Sequence, residues 1–300
     1  MDKKIKTYLA LAFTILFWGL SFIATKIALT SFTPFVYMFF RFTLASVFFL
    51  ILMLWRGFPK LSAGDHKKLF LIGLLEPGLY FIFETFGLTY TTASKASLII
   101  AAVPIAVLLL ARIVLKEKIT GKRLWGVILS IAGIMILILG DPKFSISSAG
   151  SMLGDMLIFG AVISASFYMI IARDLGQRLS SLEITSFQVF YGAILFTPFF
   201  LLNMGGIQWS QISAQAVGAV VFLAVFATIL GFLFYNYALT QIPASQVAVF
   251  INGIPVVTAI GAWFILGESL TLLQMAGGLL VLIAVIVANK PQPSRQTASG

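Results

Sequence analysis

The chain has 300 residues, 60% of them apolar and only 10% charged, where a soluble domain carries about 25% charged residues. A water-soluble fold cannot hide that much apolar surface, so the solvent is lipid, and at roughly 20 apolar residues per crossing the length suits ten spans with no sizeable soluble domain. No cysteine is present and His66 is the only histidine, which leaves no disulfide, thiolate or cysteine metal site; the net charge of +10 falls in short loops, where it marks membrane orientation rather than nucleic-acid binding.

Ten apolar runs follow in chain order, at 7–29, 34–55, 69–90, 94–115, 122–140, 151–172, 182–203, 214–238, 244–266 and 271–289. The first is too long for the apolar core of a cleaved leader, and no small-residue cleavage site follows it. Gly57-Phe58-Pro59, Ser62-Ala63-Gly64-Asp65, Asp141-Pro142, Ser147 to Gly150 and Met204-Gly205-Gly206 break the runs with turn chemistry. The polar stretch from Pro291 is expected to be a disordered cytoplasmic tail, 291–300.

Basic residues set the expected orientation. With the amino terminus inside, the inner segments hold Lys3, Lys4, Lys6, Arg56, Lys60, Lys67, Lys68, Lys116, Lys118, Lys122, Arg123, Arg173, Arg178, Lys290 and Arg295. The outer segments hold Lys95 and Lys143 alone. This bias places both termini in the cytoplasm of a multi-pass cell-membrane protein.

The chain also repeats. An offset of 151 residues lays Leu88-Thr89 on Leu239-Thr240, Ala93-Ser94 on Ala244-Ser245, Pro104 on Pro255, Glu117 on Glu268, Thr120 on Thr271 and Gly126 on Gly277. An offset of 147 relates Lys26 to Arg173 and Arg41 to Gln188. The expected fold class is therefore all-α, with ten transmembrane helices as two inverted five-helix repeats, 1–145 and 146–290. Five is odd, so the second copy enters the membrane from the opposite side. Inverted repeats recur in secondary transporters, whose sites lie near the midplane between the halves.

Several motifs carry a family resemblance. They are Phe17-Trp18-Gly19-Leu20-Ser21-Phe22 with Lys26, Ala93-Ser94-Lys95-Ala96-Ser97 before Pro104, and Leu115 to Thr120 before Gly126. The second copy holds Pro243-Ala244-Ser245 before Pro255, and Leu266 to Thr271 before Gly277-Gly278. With them the chain resembles the ten-span, EamA-like members of the drug/metabolite transporter superfamily over nearly its whole length. The resemblance implies a basket of ten helices around a central cavity, and export of small organic metabolites.

Ionisable residues inside spans are costly and mark candidate sites. Arg41 and Glu84 lie at similar depth and are expected either to form a structural ion pair or to face the cavity. Glu76 lies near the midplane with no basic residue evident at its depth. A carboxyl in such surroundings spends time protonated at neutral pH, as a proton-coupling site requires. Pro77 removes one helical hydrogen bond beside it, so Glu76 could instead bond the freed backbone. Lys26 lies nearer the surface and can snorkel.

Thr14, Trp18, Ser21 and Thr25 share one face of the first span, and Glu76, Tyr80 and Glu84 step along the third. Tyr168, Tyr235 and Asn252 add polar tips on later spans. The candidate substrate-binding set is thus Trp18, Ser21, Arg41, Glu76, Tyr80, Glu84, Tyr168, Tyr235 and Asn252, although aromatic residues also serve as interfacial belts. Pro104 and Pro255 are expected to bend the fourth and ninth spans, as fixed kinks or as hinges. Gly126, Ser130, Gly133, Gly277 and Gly278 suit close packing of the fifth and tenth spans.

There is no phosphate-binding glycine-lysine loop and no His-Glu-x-x-His motif. The reading is a secondary transporter, not an enzyme, without cofactor or metal. It exports amino acids or related amphipathic solutes by alternating access, with a small-molecule substrate, the lipid bilayer and protons as a candidate coupling ion, and acts as a monomer or weak dimer. The alternatives are multidrug or lipid-like efflux, or a non-transport membrane subunit. An intramembrane enzyme would need a clustered nucleophile, base or metal site.

Overall fold

The structure, a computed structural model, describes residues 3–114, 121–140, 149–242 and 244–289. The turn around Lys116, Glu117 and Lys118, the connection carrying Lys143 and the boundary between the halves, and the tail from Pro291 lie outside the described residues. All secondary structure among the described residues is helical.

The first half contains α1 (Lys3–Ala28), α2 (Pro34–Arg56), α3 (Ala63–Gly73), α4 (Tyr80–Tyr90), α5 (Ala93–Ile100), α6 (Val103–Val114) and α7 (Gly121–Leu139). The second contains α8 (Ala149–Leu175), α9 (Ser181–Asn203), α10 (Ala214–Phe222), α11 (Gly231–Gln241), α12 (Ala244–Ile251), α13 (Ile254–Leu266) and α14 (Leu272–Asn289). Helix by helix these fill the ten expected runs. Among the described residues seven segments are long and apolar enough to cross a membrane, and Ile254–Leu266 and Leu272–Ala284 are shorter apolar helices.

The third span begins earlier than its apolar run. Ser62 and Asp65, read as loop chemistry, form a capping box: the Asp65 amide donates to Ser62 Oγ and the Ser62 amide donates to Asp65 Oδ2, both at 3.1 Å. The box satisfies two otherwise orphaned amides and starts α3 at Ala63. Ser180 and Glu183 do the same for α9. In α2, Pro34 occupies the first turn, where no amide is missed.

Two interruptions recur in both halves. A π-helical turn joins α3 to α4 at Leu74–Leu79, and another joins α10 to α11 at Leu223–Leu230. Pro77 lies in the first, but the second has no proline, so the wide turn belongs to the repeat and not to Pro77 alone. The second interruption splits the fourth span at Ala101–Ala102 and the ninth at Asn252–Gly253, just ahead of Pro104 and Pro255. Both prolines thus sit at the breaks expected of them.

The halves interlock. Helix α1 packs on α10, α11 and α13 of the other repeat, and α8 packs in the same manner on α3, α4 and α6. The pairs α2 with α9 and α7 with α14 join like to like. At the last of these, a side chain on Gly133 would meet the Gly277 carbonyl at 2.8 Å, so small residues there set the approach, as close membrane packing requires. Large apolar side chains such as Leu54, Trp55, Ile194, Leu202 and Phe264 point outward, where lipid is the solvent.

Candidate functional site

The break at Glu76 begins the site. Glu76 leaves helical geometry, at φ −144° and ψ 106°, and Pro77 supplies no amide hydrogen. The carbonyls exposed by the wide turn are taken up by the opposite repeat. Ser164 Oγ of α8 donates to the Leu75 carbonyl at 2.7 Å, and Gln188 Nε2 of α9 donates to the Glu76 carbonyl at 2.8 Å. Gly192 of α9 lies against the proline ring, where an added Cβ would clash with Pro77 Cγ. Among the described residues, none donates a hydrogen bond to the Glu76 carboxylate, although the residue is buried.

That carboxylate faces a cavity between the repeats, lined also by Trp18, Ser21, Arg41, Tyr80, Glu84 and Tyr235. Ile100 and Val103 flank the fourth-span break, and Ile251 and Ile254 flank the ninth-span break; all four border the same space. Its free volume is about 30 Å³, on the order of one or two waters.

Arg41 is fixed by neutral partners. Its Nε donates to Thr228 Oγ1 and its Nη1 to the Tyr37 hydroxyl, each at 2.7 Å, and Tyr37 in turn lies 3.1 Å from Thr25 Oγ1. The guanidinium sits 4.2 Å from the Phe81 ring centre, within cation–π range. Glu84 has Thr85 Oγ1 at 3.5 Å. Arg41 and Glu84 share the cavity without a direct ion pair, the second of the two expectations, and a polar and aromatic cradle holds Arg41. Similar depth had suggested contact, but depth leaves the direction around each helix axis open.

Trp18 spans the repeats: its Nε1 donates to the Ala227 carbonyl at 3.0 Å, inside the second π turn. Its ring packs 4.7 Å from Tyr235 and 5.4 Å from Phe232. Ser21 donates back to the Trp18 carbonyl at 2.7 Å. Tyr80 and Phe81, 5.0 Å apart, continue the aromatic wall.

Tyr168 and Asn252 lie outside the lining. Tyr168 stands behind Tyr235, fully buried, and donates to Asn236 Oδ1 at 2.7 Å. Asn236 Nδ2 donates to Thr185 Oγ1 and to Gln188 Oε1, so Tyr168 belongs to the network that ends on the Glu76 carbonyl. Asn252 occupies the ninth-span break, its amide buried with no hydrogen-bond partner among the described residues.

Sequence reasoning missed Thr228, Asn236 and Ser164, neutral side chains that carry no cost signal in a span. It also misplaced Lys95. Far from lying in an outer loop, Lys95 is 0% exposed in the first turn of α5 and pairs at 2.8 Å with Asp155 of α8, itself 4% exposed. Beside it, the Glu268 carboxylate caps α5, accepting from the Ala93 and Ser94 amides at 3.0 Å and from Ser94 Oγ at 2.9 Å. At the other end of the molecule, Asp65 pairs with Arg178 and Lys68 with Asp174. Among the described residues no group of acidic, histidine or cysteine side chains could hold a metal ion.

A doubly repeated, ten-span basket with a polar and aromatic cavity between its halves has the form of a membrane transporter. The comparisons agree. The sequence profile of the EamA-like transporter family matches residues 5–139 and again 152–290, and the chain belongs to that family. An uncharacterized transporter of Archaeoglobus fulgidus is 29% identical over 285 residues, covering 94% of this chain and 98% of that protein. The uncharacterized transporter YcxC of Bacillus subtilis is 32% identical over 286 residues, covering 90% and 88%. A solved crystal structure shares the fold with a TM-score of 0.70 at 17% identity, covering 96% of this chain and 97% of the other. The protein is a multi-pass membrane transporter, with a small-molecule substrate and the bilayer as its partners.

Proposed function

We propose that the protein is a secondary transporter that exports small organic metabolites by alternating access, with both termini cytoplasmic and the Glu76 carboxylate as its proton-coupling group. The observation that carries this reading is the Glu76 carboxylate itself, which faces an inter-repeat cavity from a helix break with no hydrogen bond from a described side chain. Sites of this kind lie where repeats meet and helices break. The candidate binding set is Trp18, Ser21, Arg41, Glu76, Tyr80, Glu84 and Tyr235 on the lining, with Tyr168 and Asn252 in support. The groups within electrostatic reach of Glu76 are Glu84 and Arg41, with the hydroxyls of Tyr80, Tyr168 and Tyr235.

Two further features support alternating access. A free volume of about 30 Å³ is too small for an amino acid, so a substrate enters only a wider state. Ion pairs also join the repeats at two places that alternating access would open in turn: Lys95 with Asp155, and Asp65 with Arg178. Opening either side breaks its own latch while the other holds. The test is solute counterflow in proteoliposomes holding the purified chain, screened with a labelled metabolite library. The reading expects trans-stimulated exchange of at least one solute class. No exchange across the library, from protein whose folding is verified by its melting transition, would overturn it.

A further inference from the structure

The unused donors of the cavity define which solute it suits, an inference that rests on the transport reading above. Arg41 is the cationic side chain on the lining, and it is buried. A guanidinium carries five N–H donors and accepts nothing. Here Thr228 takes the Nε donor and Tyr37 takes one on Nη1. The other three, two of them on Nη2, have no acceptor among the described residues. Phe81 covers the face of the group and leaves the edge, where the N–H groups point. Tyr235, buried on the same lining, has a hydroxyl with no hydrogen-bond partner among the described residues. Buried polar groups are rarely left unbonded. A solute that displaces the water of this cavity must therefore bring acceptors of its own.

Glu76 and Glu84 do not fill that role. Both are buried on the lining, and among the described residues neither forms an ion pair. An ionised carboxylate so placed is costly, and such a group takes up a proton instead. A protonated carboxyl adds an O–H donor and no charge. Arg41 then gives the lining one net positive charge and a surplus of donors. A carboxylate answers both, since it brings one negative charge and only acceptors, and its two oxygens suit the edge of a guanidinium. An ammonium finds no ionised partner there. Proton coupling agrees, because the anion is taken in the state in which Glu76 holds its proton.

The rings continue from Arg41. Its guanidinium lies 4.2 Å from the Phe81 ring centre, Phe81 lies 6.5 Å from Phe232, and Phe232 lies 5.4 Å from Trp18. A flat apolar body packs well on such a wall. We propose that the cavity, in its proton-loaded state, is selective for organic monocarboxylates with a flat apolar body, the carboxylate on the unbonded N–H donors of Arg41 and the body along the rings from Phe81 to Trp18.

Four solutes with one indole body test this on the purified full chain by calorimetry: indole-3-propionate, its uncharged amide, tryptophan and tryptamine. Indole-3-propionate is expected to bind about tenfold or more tighter than each of the others. Arg41→Gln is expected to weaken it by about tenfold and leave the amide within about twofold, while Arg41→Lys, which keeps the charge, retains part of the preference. An equal loss of both ligands in Arg41→Gln would make Arg41 structural only and overturn the proposal. The comparison on the parent protein stands where a variant fails to fold. Equal or tighter binding of the amide, tryptophan or tryptamine would overturn it, and so would binding of none of the four. Counterflow separates the two claims: exchange of amines, amides or amino acids in preference to carboxylates removes the carboxylate selectivity and keeps the transporter, whereas no exchange of any solute removes both.

Discussion

Trp18 in the first span donates its indole N–H to the carbonyl of Ala227, 3.0 Å away in the second repeat, and Ala227 is the residue that stands 151 positions after Glu76. The mirror contact comes from α8, whose Ser164 donates to Leu75 in the π turn of the first repeat. Each wide turn is thus held by the leading helix of the opposite half. π turns collect at functional positions because they free carbonyls that need other partners. The scaffold here is two-fold and the chemistry is not: one turn carries Glu76, the other an alanine.

The cross-repeat grip makes a prediction about Trp18. Trp18→Phe keeps an aromatic wall but leaves the Ala227 carbonyl buried without its donor, a loss of about 1–3 kcal/mol. The melting temperature in detergent should fall accordingly. An unchanged melting temperature would mean that the indole N–H is not needed to hold the turn.

Arg41 and Glu84 separate in their expected behaviour. Arg41→Lys cannot keep both hydroxyl bonds and the stack on Phe81, because an ammonium lacks the planar fork. Its cost should be about 1–3 kcal/mol. Glu84→Gln, which breaks no direct ion pair, should cost under about 1 kcal/mol in stability, against the 3–5 kcal/mol of a broken buried pair. Paired denaturation curves of the two variants check this, and a large loss for Glu84→Gln would restore the ion pair.

Lys95 and Asp155 form such a pair. Removing either charge, as Lys95→Met or Asp155→Asn, takes the ion partner from a buried charge and should cost about 3–5 kcal/mol. The pair joins the repeats, so on the alternating-access proposal variants that still fold should also shift which face is open, read as altered accessibility of single cysteines placed at Ser21 and Ile100. Variants as stable and as accessible as the parent would contradict the latch.

Much of the fold was legible because lipid leaves a coarse signal: ten runs, their breaks, and prolines and glutamates at a fixed offset. Trp18, Glu76, Tyr80 and Glu84 were readable from helical spacing, since an ionisable residue in a span is conspicuous. Asn236 and Thr228 were not, because a neutral amide or hydroxyl in an apolar run looks like composition. Lys95 was misread because it lies two residues past a helix start, where a sequence cannot tell a loop cation from a buried one. Its partner Asp155 hid in the same way near the start of α8. Tyr168 looked like a cavity residue and lies one layer behind, a distinction that only packing makes.

Orientation is checked by reporter fusions. Fusions after Gly206 should read as external, and fusions after Asp65 and Gln177 as internal, because basic residues crowd the second set of segments. An external reading at Gln177 would reverse the assignment of export and import.

The central claim is that Glu76 couples transport to protons. Glu76→Gln keeps the shape of the side chain and removes its ability to ionise. Uptake of a counterflow-active solute into proteoliposomes, with and without an imposed pH gradient, compares the two proteins directly. The expected result is accumulation driven by the gradient in the parent, and in Glu76→Gln a retained exchange with no gradient-driven accumulation. Accumulation by Glu76→Gln equal to that of the parent would contradict the claim and leave Glu76 a structural carboxyl at the helix break.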